Sequence, residues 1–280
     1  MAARYVLGVD QGTTSSRAIL FDGAGRAVKE AKRPHRTICP HPGWVENDPL
    51  EIRDNVLACL EEVLTTGVEP GDVAALGITN QRETAIVWER ATGRPVYNAI
   101  SWQDSRTAEA CQRLQNEGLA RLVREKTGLA LFPYFSATKL QWILENVPGV
   151  RARAEADELL FGTIDTWLIW WLTGGPDGGR HVTDPSNASR TMLLNLRTLT
   201  WDDDLLKLFS VPRALLPEVV PSSSPVAYGT VSLGGGRFVL PLAADVGDQQ
   251  SALVGQGCFD PGEVKNSFGT ANAILMNTGS

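Results

Sequence analysis

Several short stretches of this 280-residue chain combine residue types that can do chemistry. In Asp10-Gln11-Gly12-Thr13-Thr14-Ser15 a carboxylate precedes a turn crowded with hydroxyl and amide donors. Such a turn can cradle phosphate oxygens, and the adjacent carboxylate can hold a hydrated Mg²⁺ that neutralises them. Arg17 lies close enough in sequence to add positive charge. A Gly-Thr turn beside an aspartate is also an ordinary hairpin device, and both readings stand on these residues alone. The spacing fits neither Gly-x-x-x-x-Gly-Lys-Ser/Thr nor Gly-x-Gly-x-x-Gly, so P-loop and dinucleotide chemistry are set aside. Arg82-Glu83 offers a guanidinium donor beside a carboxylate acceptor, either a clamp for the hydroxyls of a polyol or a surface ion pair. Trp102 and Tyr134 could wall a small pocket, Trp against a carbon face and Tyr through its hydroxyl, or fill a core. Asp248 either caps a helix or accepts the proton of an attacking alcohol, which requires it within hydrogen-bond reach of that hydroxyl.

These residues need a scaffold, and the pattern around them supplies one. Tyr5 to Asp10 reads as an apolar strand, Arg17 to Asp22 as its alternating return, and Arg26 to about Lys32 as a third strand after the Asp22-Gly23 turn. Asn47-Asp48-Pro49 is a helix-start signal, after which Ile52, Val56, Leu60, Val63 and Leu64 recur at helical steps until Gly67. A buried strand from Val73 to Thr79 delivers Asn80-Gln81-Arg82-Glu83 at its end, and Thr84 to Glu89 reads as another strand. Helical patterns follow at Ser105 to Glu117, Ala137 to Asn146 and Thr163 to Leu172, with a strand at Glu158 to Phe161. Residues 174 to 236 are rich in Gly, Pro and Ser, weakly patterned, and include surface connections, with Pro221-Ser222-Ser223-Ser224-Pro225 as the clearest loop. Phe238 to Ala243 restores a strand, and Asp248 opens a helix that includes Ala252, Leu253 and Val254. The order is that of an α/β layer structure.

Composition narrows the function classes. With 43% hydrophobic and 21% charged residues the chain is an ordinary globular one of one or two domains. A net charge of −6 gives no general attraction to nucleic acid or anionic lipid. The most apolar stretch, Leu159 to Leu172, contains Asp165 and falls short of the roughly 20 residues that cross a bilayer. No signal peptide precedes the first strand, so a cytoplasmic setting without membrane insertion is expected. Cys39, Cys59, Cys111 and Cys258 form no Cys-x-x-Cys and the histidines have no ligand spacing, which points to reduced thiols and no structural zinc.

One internal repeat bears on the architecture. Gly12-Thr13 followed by Ala18-Ile19-Leu20-Phe21-Asp22 is echoed by Gly269-Thr270 followed by Ala273-Ile274-Leu275-Met276-Asn277. Either two hairpins coincide, or the sequence begins a second copy of its opening unit.

Longer motifs now carry a resemblance. Asp10-Gln-Gly-Thr-Thr-Ser-Ser-Arg17, Gly77-Ile-Thr-Asn-Gln-Arg-Glu-Thr84, Thr163-Ile-Asp-Thr-Trp-Leu-Ile-Trp170, Asp184-Pro-Ser-Asn-Ala-Ser-Arg-Thr-Met192 and Gly247-Asp-Gln-Gln250 resemble the glycerol kinases, a branch of the FGGY carbohydrate kinases. Tyr134-Phe-Ser-Ala-Thr-Lys-Leu-Gln-Trp-Ile-Leu-Glu-Asn146 resembles that family's N-terminal signature. The resemblance implies an actin-like, ribonuclease-H-like ATPase fold of two duplicated lobes with a cleft between them. The chain would then hold one nearly complete lobe, residues 1–255, and the first hairpin of a truncated second lobe, residues 256–280. It implies ATP-dependent phosphorylation of glycerol to sn-glycerol 3-phosphate, with ATP/ADP and glycerol as partners and Mg²⁺ as cofactor. By the same resemblance Asp10 serves Mg²⁺, and Thr13, Thr14, Ser15, Arg17 and Thr270 face the nucleotide phosphates. Arg82, Glu83, Trp102, Tyr134, Asp248 and Gln249 surround glycerol, with Asp248 as the catalytic base. The family's second phosphate turn usually reads Gly-Thr-Gly where this chain has Ala271, and Ala273 replaces an aromatic residue of the glycerol pocket. A kinase for another polyol or ketose, a polyol-binding module without turnover, and a purely structural subunit stay open on sequence alone, as does a homo-oligomeric assembly.

Overall fold

The structure is a computed structural model, and it describes residues 4–65, 67–224, 228–268 and 272–279. The chain opens on β1 (Tyr5–Gln11), β2 (Ser15–Asp22) and β3 (Ala27–Pro34), each antiparallel to the one before. Period-two alternation places Leu7, Val9, Ala18 and Leu20 on one buried face. Helix α1 (Pro49–Val63) covers that face. It starts where its cap chemistry dictates: the Asp48 carboxylate accepts the Leu50 N–H at 2.8 Å and Pro49 occupies the first turn. Its stripe of Ile52, Val56, Leu60 and Val63 is fully buried, worth about 1.5–3 kcal/mol for each large side chain.

Strand β4 (Val73–Asn80) then runs parallel to β1, and β5 (Ile86–Glu89) leaves the sheet. Four helices follow, α2 (Ala108–Asn116), α3 (Ala120–Thr127), α4 (Ser136–Asn146) and α5 (Val150–Glu155). Next, β6 (Leu159–Gly162) pairs antiparallel with β5, and α6 (Ile164–Leu172) packs into the core shared with α1. Two short helices, α7 (Pro185–Ala188) and α8 (Asp203–Leu208), precede β7 (Gly229–Leu233), β8 (Phe238–Gly247) and α9 (Asp248–Gly255). The main sheet has six strands in the order β7-β8-β4-β1-β2-β3. A second hydrophobic core, around Leu140, Ile143, Phe161, Leu193 and Phe209, supports the helical region.

Residues 174–236 carry more than the surface connections expected among them: Leu193, Leu194, Leu205, Phe209 and Leu215 are buried, and Asp184 and Asp202 cap α7 and α8. Elements this short complete too few turns to write a period into the sequence. Helices α3 and α5 escape notice for the same reason, burying only Val123 and Thr127, and Val150 and Ala154. Strand β8 also runs on to Gly247, because Asp245 interrupts the apolar run while staying paired to β4.

The repeated hairpin forms at the strand level. β9 (Val264–Phe268) pairs antiparallel with β10 (Asn272–Met276), while Gly269, Thr270 and Ala271 lie outside the described residues.

One register governs everything that follows. Asp10 pairs with Thr79 and Gln11 with Asn80, while Val246 pairs with Thr79 and Gly247 with Asn80. The carboxyl ends of β1, β4 and β8 are therefore level, and in open α/β sheets that rim is where ligands sit.

Candidate active site

Each of the three level strands hands one polar segment to the rim: Asp10 to Ser15 from β1, Asn80 to Thr84 from β4, and Gly247 to Gln250 from β8. They enclose a cavity of ≈ 450 Å³ lined by Thr13, Gln81, Arg82, Glu83, Trp102, Tyr134, Asp248, Gln249, Ser267, Phe268, Asn272 and Ala273. An adjoining groove of similar size runs along the sheet past Gly8, Asp10, Thr79, Val246 and Ser251. Asp248 borders both spaces.

Asp248 is the first residue of α9, and the cap position itself belongs to Gly247, which corrects the capping alternative. Its carboxylate accepts from Arg82 Nε at 3.0 Å, the Gln249 N–H at 2.8 Å and Gln249 Nε2 at 3.2 Å. Arg82 also donates to Gln250 Oε1 at 3.3 Å, so its guanidinium binds the start of α9 and does not pair with its neighbour Glu83. Close approach here needs glycine: a Cβ at position 247 would stand 2.5 Å from Arg82 Cδ. The Gly247 N–H donates to Ser186 Oγ at 2.7 Å, and Ser186 Oγ in turn donates to the α7 cap, Asp184.

Glu83 sits at φ 66°, a left-handed conformation that a residue with a side chain holds only under constraint. That constraint is visible: Ser136 Oγ donates to its carbonyl at 2.9 Å and Arg190 Nε to its carboxylate at 2.7 Å. Burial pushes the Glu83 carboxyl above its ordinary range, against the pull of Arg82 and Arg190. Tyr134 and Trp102 stand with ring centroids 5.4 Å apart, and burial pushes the Tyr134 hydroxyl up to about 12, so it stays a donor. Trp102 Nε1 donates to Thr13 Oγ1 at 3.1 Å, which links the aromatic wall to the β1–β2 turn. That turn is braced from beneath by Gln81, whose N–H and Nε2 donate to the carbonyls of Gln11 and Gly12.

On the groove side, Arg17 Nη2 donates to Asp10 Oδ2 at 3.0 Å, and the Asp10 side chain is 35% exposed. Thr14 and Ser15 occupy the turn without lining the cavity, and Thr270 lies outside the described residues. Thr13, Arg82, Glu83, Trp102, Tyr134, Asp248 and Gln249 share one cavity. Sequence reasoning assigned no role to Arg190, Gln81 or Lys265. Lys265 reaches back from β9 to Gln249 Oε1 and Ser267 Oγ, at 2.5 and 2.8 Å. Arg190 belongs to a motif quoted above, but its partner Glu83 is 107 positions away.

Behind the rim lie Asp165, Asp184 and Asp245, all buried, with carboxylate oxygens within 4.8 Å of one another. Asp165 and Asp184 accept from Thr163, Thr183, Ser186, Asn187 and Ser222, whereas neither oxygen of Asp245 has a donor. Burial beside two carboxylates pushes Asp245 well above the usual range and Asp165 up to about 6.

The sequence pattern of the FGGY family of carbohydrate kinases, N-terminal domain, matches residues 5–255. Over 278 residues the chain is 55% identical to a glycerol kinase of Roseiflexus sp. (strain RS-1), covering 99% of this chain and 55% of that protein. Among solved structures, Plasmodium falciparum glycerol kinase with ADP superimposes with a TM-score of 0.90 at 35% identity, over 99% of this chain and 55% of that one. Xylulose kinase from Rhodospirillum rubrum superimposes with a TM-score of 0.85 at 27% identity, over 97% and 54%. The chain thus spans about half the length of the relatives it matches.

Proposed function

Because the chain belongs to the FGGY family of carbohydrate kinases, we propose that it forms the glycerol- and phosphate-binding part of an enzyme that transfers the γ-phosphoryl group of ATP to glycerol, giving sn-glycerol 3-phosphate and ADP. Residues 1–255 are the glycerol-binding lobe in this reading, and residues 256–280 open a second lobe. The observation that carries it is the convergence of Asp10, Arg82-Glu83 and Asp248 on the level rim of β1, β4 and β8. Identity to a glycerol kinase at 55% supports glycerol over a ketose.

In this reading Glu83 and Arg82 hold the substrate diol from opposite polarities, and Trp102 covers its carbon face. Asp248 accepts the proton of the attacking hydroxyl as the new oxygen–phosphorus bond forms and the bond to the ADP oxygen breaks. Arg82, donating to one Asp248 oxygen at 3.0 Å, fixes the carboxylate without occupying both of its oxygens. Thr13, Thr14, Ser15 and Arg17 from the first turn, and Thr270 from the second, serve the phosphates. Asp10 suits a divalent cation: it is a hard oxygen donor, partly exposed, at the mouth of the groove shared with Asp248. Mg²⁺ held there would neutralise charge on the phosphate oxygens. A loose phosphoryl-transfer transition state asks for such positioning more than for covalent help.

The test is glycerol-dependent ADP formation by the 280-residue chain and by a chain extended through a second lobe, run beside a panel of ketoses and other polyols. Turnover with glycerol in the extended chain is the expected result. Turnover only with a ketose would replace the substrate, and calorimetric glycerol binding without turnover in either chain would make the protein a polyol-binding module.

A further inference from the structure

The side chain of Lys139 is completely buried although it carries an amine, and it lies in the first turn of α4, where the helix dipole disfavours a cation. Its Nζ donates to three successive main-chain carbonyls, those of Pro133, Tyr134 and Phe135, at 2.6, 2.7 and 3.1 Å. All three ammonium protons are thereby used, and among the described residues no carboxylate lies within ion-pair distance. Burial pulls the Lys139 amine down to about 7, partly offset by the fields of Glu83 and Asp104. A buried cation at a helix start is an unfavourable arrangement, and its only direct return is the orientation of these carbonyls.

The segment so gathered presents Tyr134 to the cavity, and it has no side-chain cap of its own at Phe135. The next residue, Ser136, holds the strained Glu83 by its carbonyl. From this geometry we infer that Lys139 is a positioning residue for polyol recognition: it locks the 133–135 backbone so that the Tyr134 ring and hydroxyl stand ready against Trp102. The inference rests on the reading of this cavity as the glycerol site, and Lys139 itself touches no substrate.

The experiment is a double-mutant cycle on glycerol affinity, read by calorimetry, with Lys139→Met and Tyr134→Ala singly and together. Amide hydrogen exchange over residues 131–137 is measured on the same ligand-free proteins. Lys139→Met is expected to weaken glycerol binding about 10-fold in the native background and by less than about 2-fold when Tyr134 is already removed. Exchange over 131–137 should rise while the sheet amides keep their protection. Lys139→Gln retains two of the N–H donors and should recover part of the affinity; it also replaces the methionine variant if that one fails to fold. Equal losses in both backgrounds, or unchanged exchange over 131–137, would overturn the role. If the unsubstituted chain does not bind glycerol, the reading of the cavity fails, and the exchange measurement still decides for or against the lock.

Discussion

At the scale of single residues, the site depends on side chains whose partners come from distant parts of the chain. Asp248 is held by Arg82, and Glu83 by Arg190, so neither carboxylate is oriented by its sequence neighbours alone. In the extended enzyme Asp248→Asn should lower kcat by about 10²- to 10⁴-fold and change glycerol affinity far less, as measured by steady-state kinetics with a calorimetric Kd. Near-normal turnover would remove its proposed role as base. Gly247→Ala probes the same junction sterically. The Gly247 φ of −56° suits any residue, so backbone strain is not at issue, but the new methyl group would push Arg82 aside. Glycerol affinity should fall about 10- to 100-fold with little change in Tm, and unchanged affinity would show that Arg82 need not sit where it does.

At the scale of elements, what the sequence reveals depends on how long a pattern lasts. Helix α1 was legible from Asp48-Pro49 and its stripe, and the opening hairpins from alternation and the Asp22-Gly23 turn. Asp48→Ala should destabilise the chain by about 1 kcal/mol in urea denaturation and leave glycerol binding unchanged, because α1 packs on one face of the sheet and lines neither the cavity nor the groove. A change in glycerol affinity would tie α1 to the site. Arg82, Glu83 and Asp248 could be singled out because each follows an apolar strand, where a polar residue is conspicuous. Arg190 and Lys265 could not, since their importance arises only when separate segments meet. Asp245 misled in the other direction: a charged residue type inside a buried strand reads as a strand end.

At the scale of the whole molecule, the buried carboxyl cluster makes stability depend on pH. Asp245 has a folded pKa well above its ordinary value, so its contribution to stability is complete below about pH 4 and is lost as pH rises through the elevated value. Asp245→Asn removes that titration. The stability of the variant relative to the native chain should therefore rise from pH 5 to pH 8 in urea melts, whereas a constant difference would mean that Asp245 is ionised throughout. The level ends of β1, β4 and β8 reach further. Asp10 and Asp248 leave strands separated by one intervening strand, so two inter-strand spacings, about 10 Å together, set the gauge between them. That span is a ruler made of main chain. Substitutions lining the cavity can change which molecule is gripped, while under the proposed reaction the interval between the cation's carboxylate and the base is set by main-chain pairing.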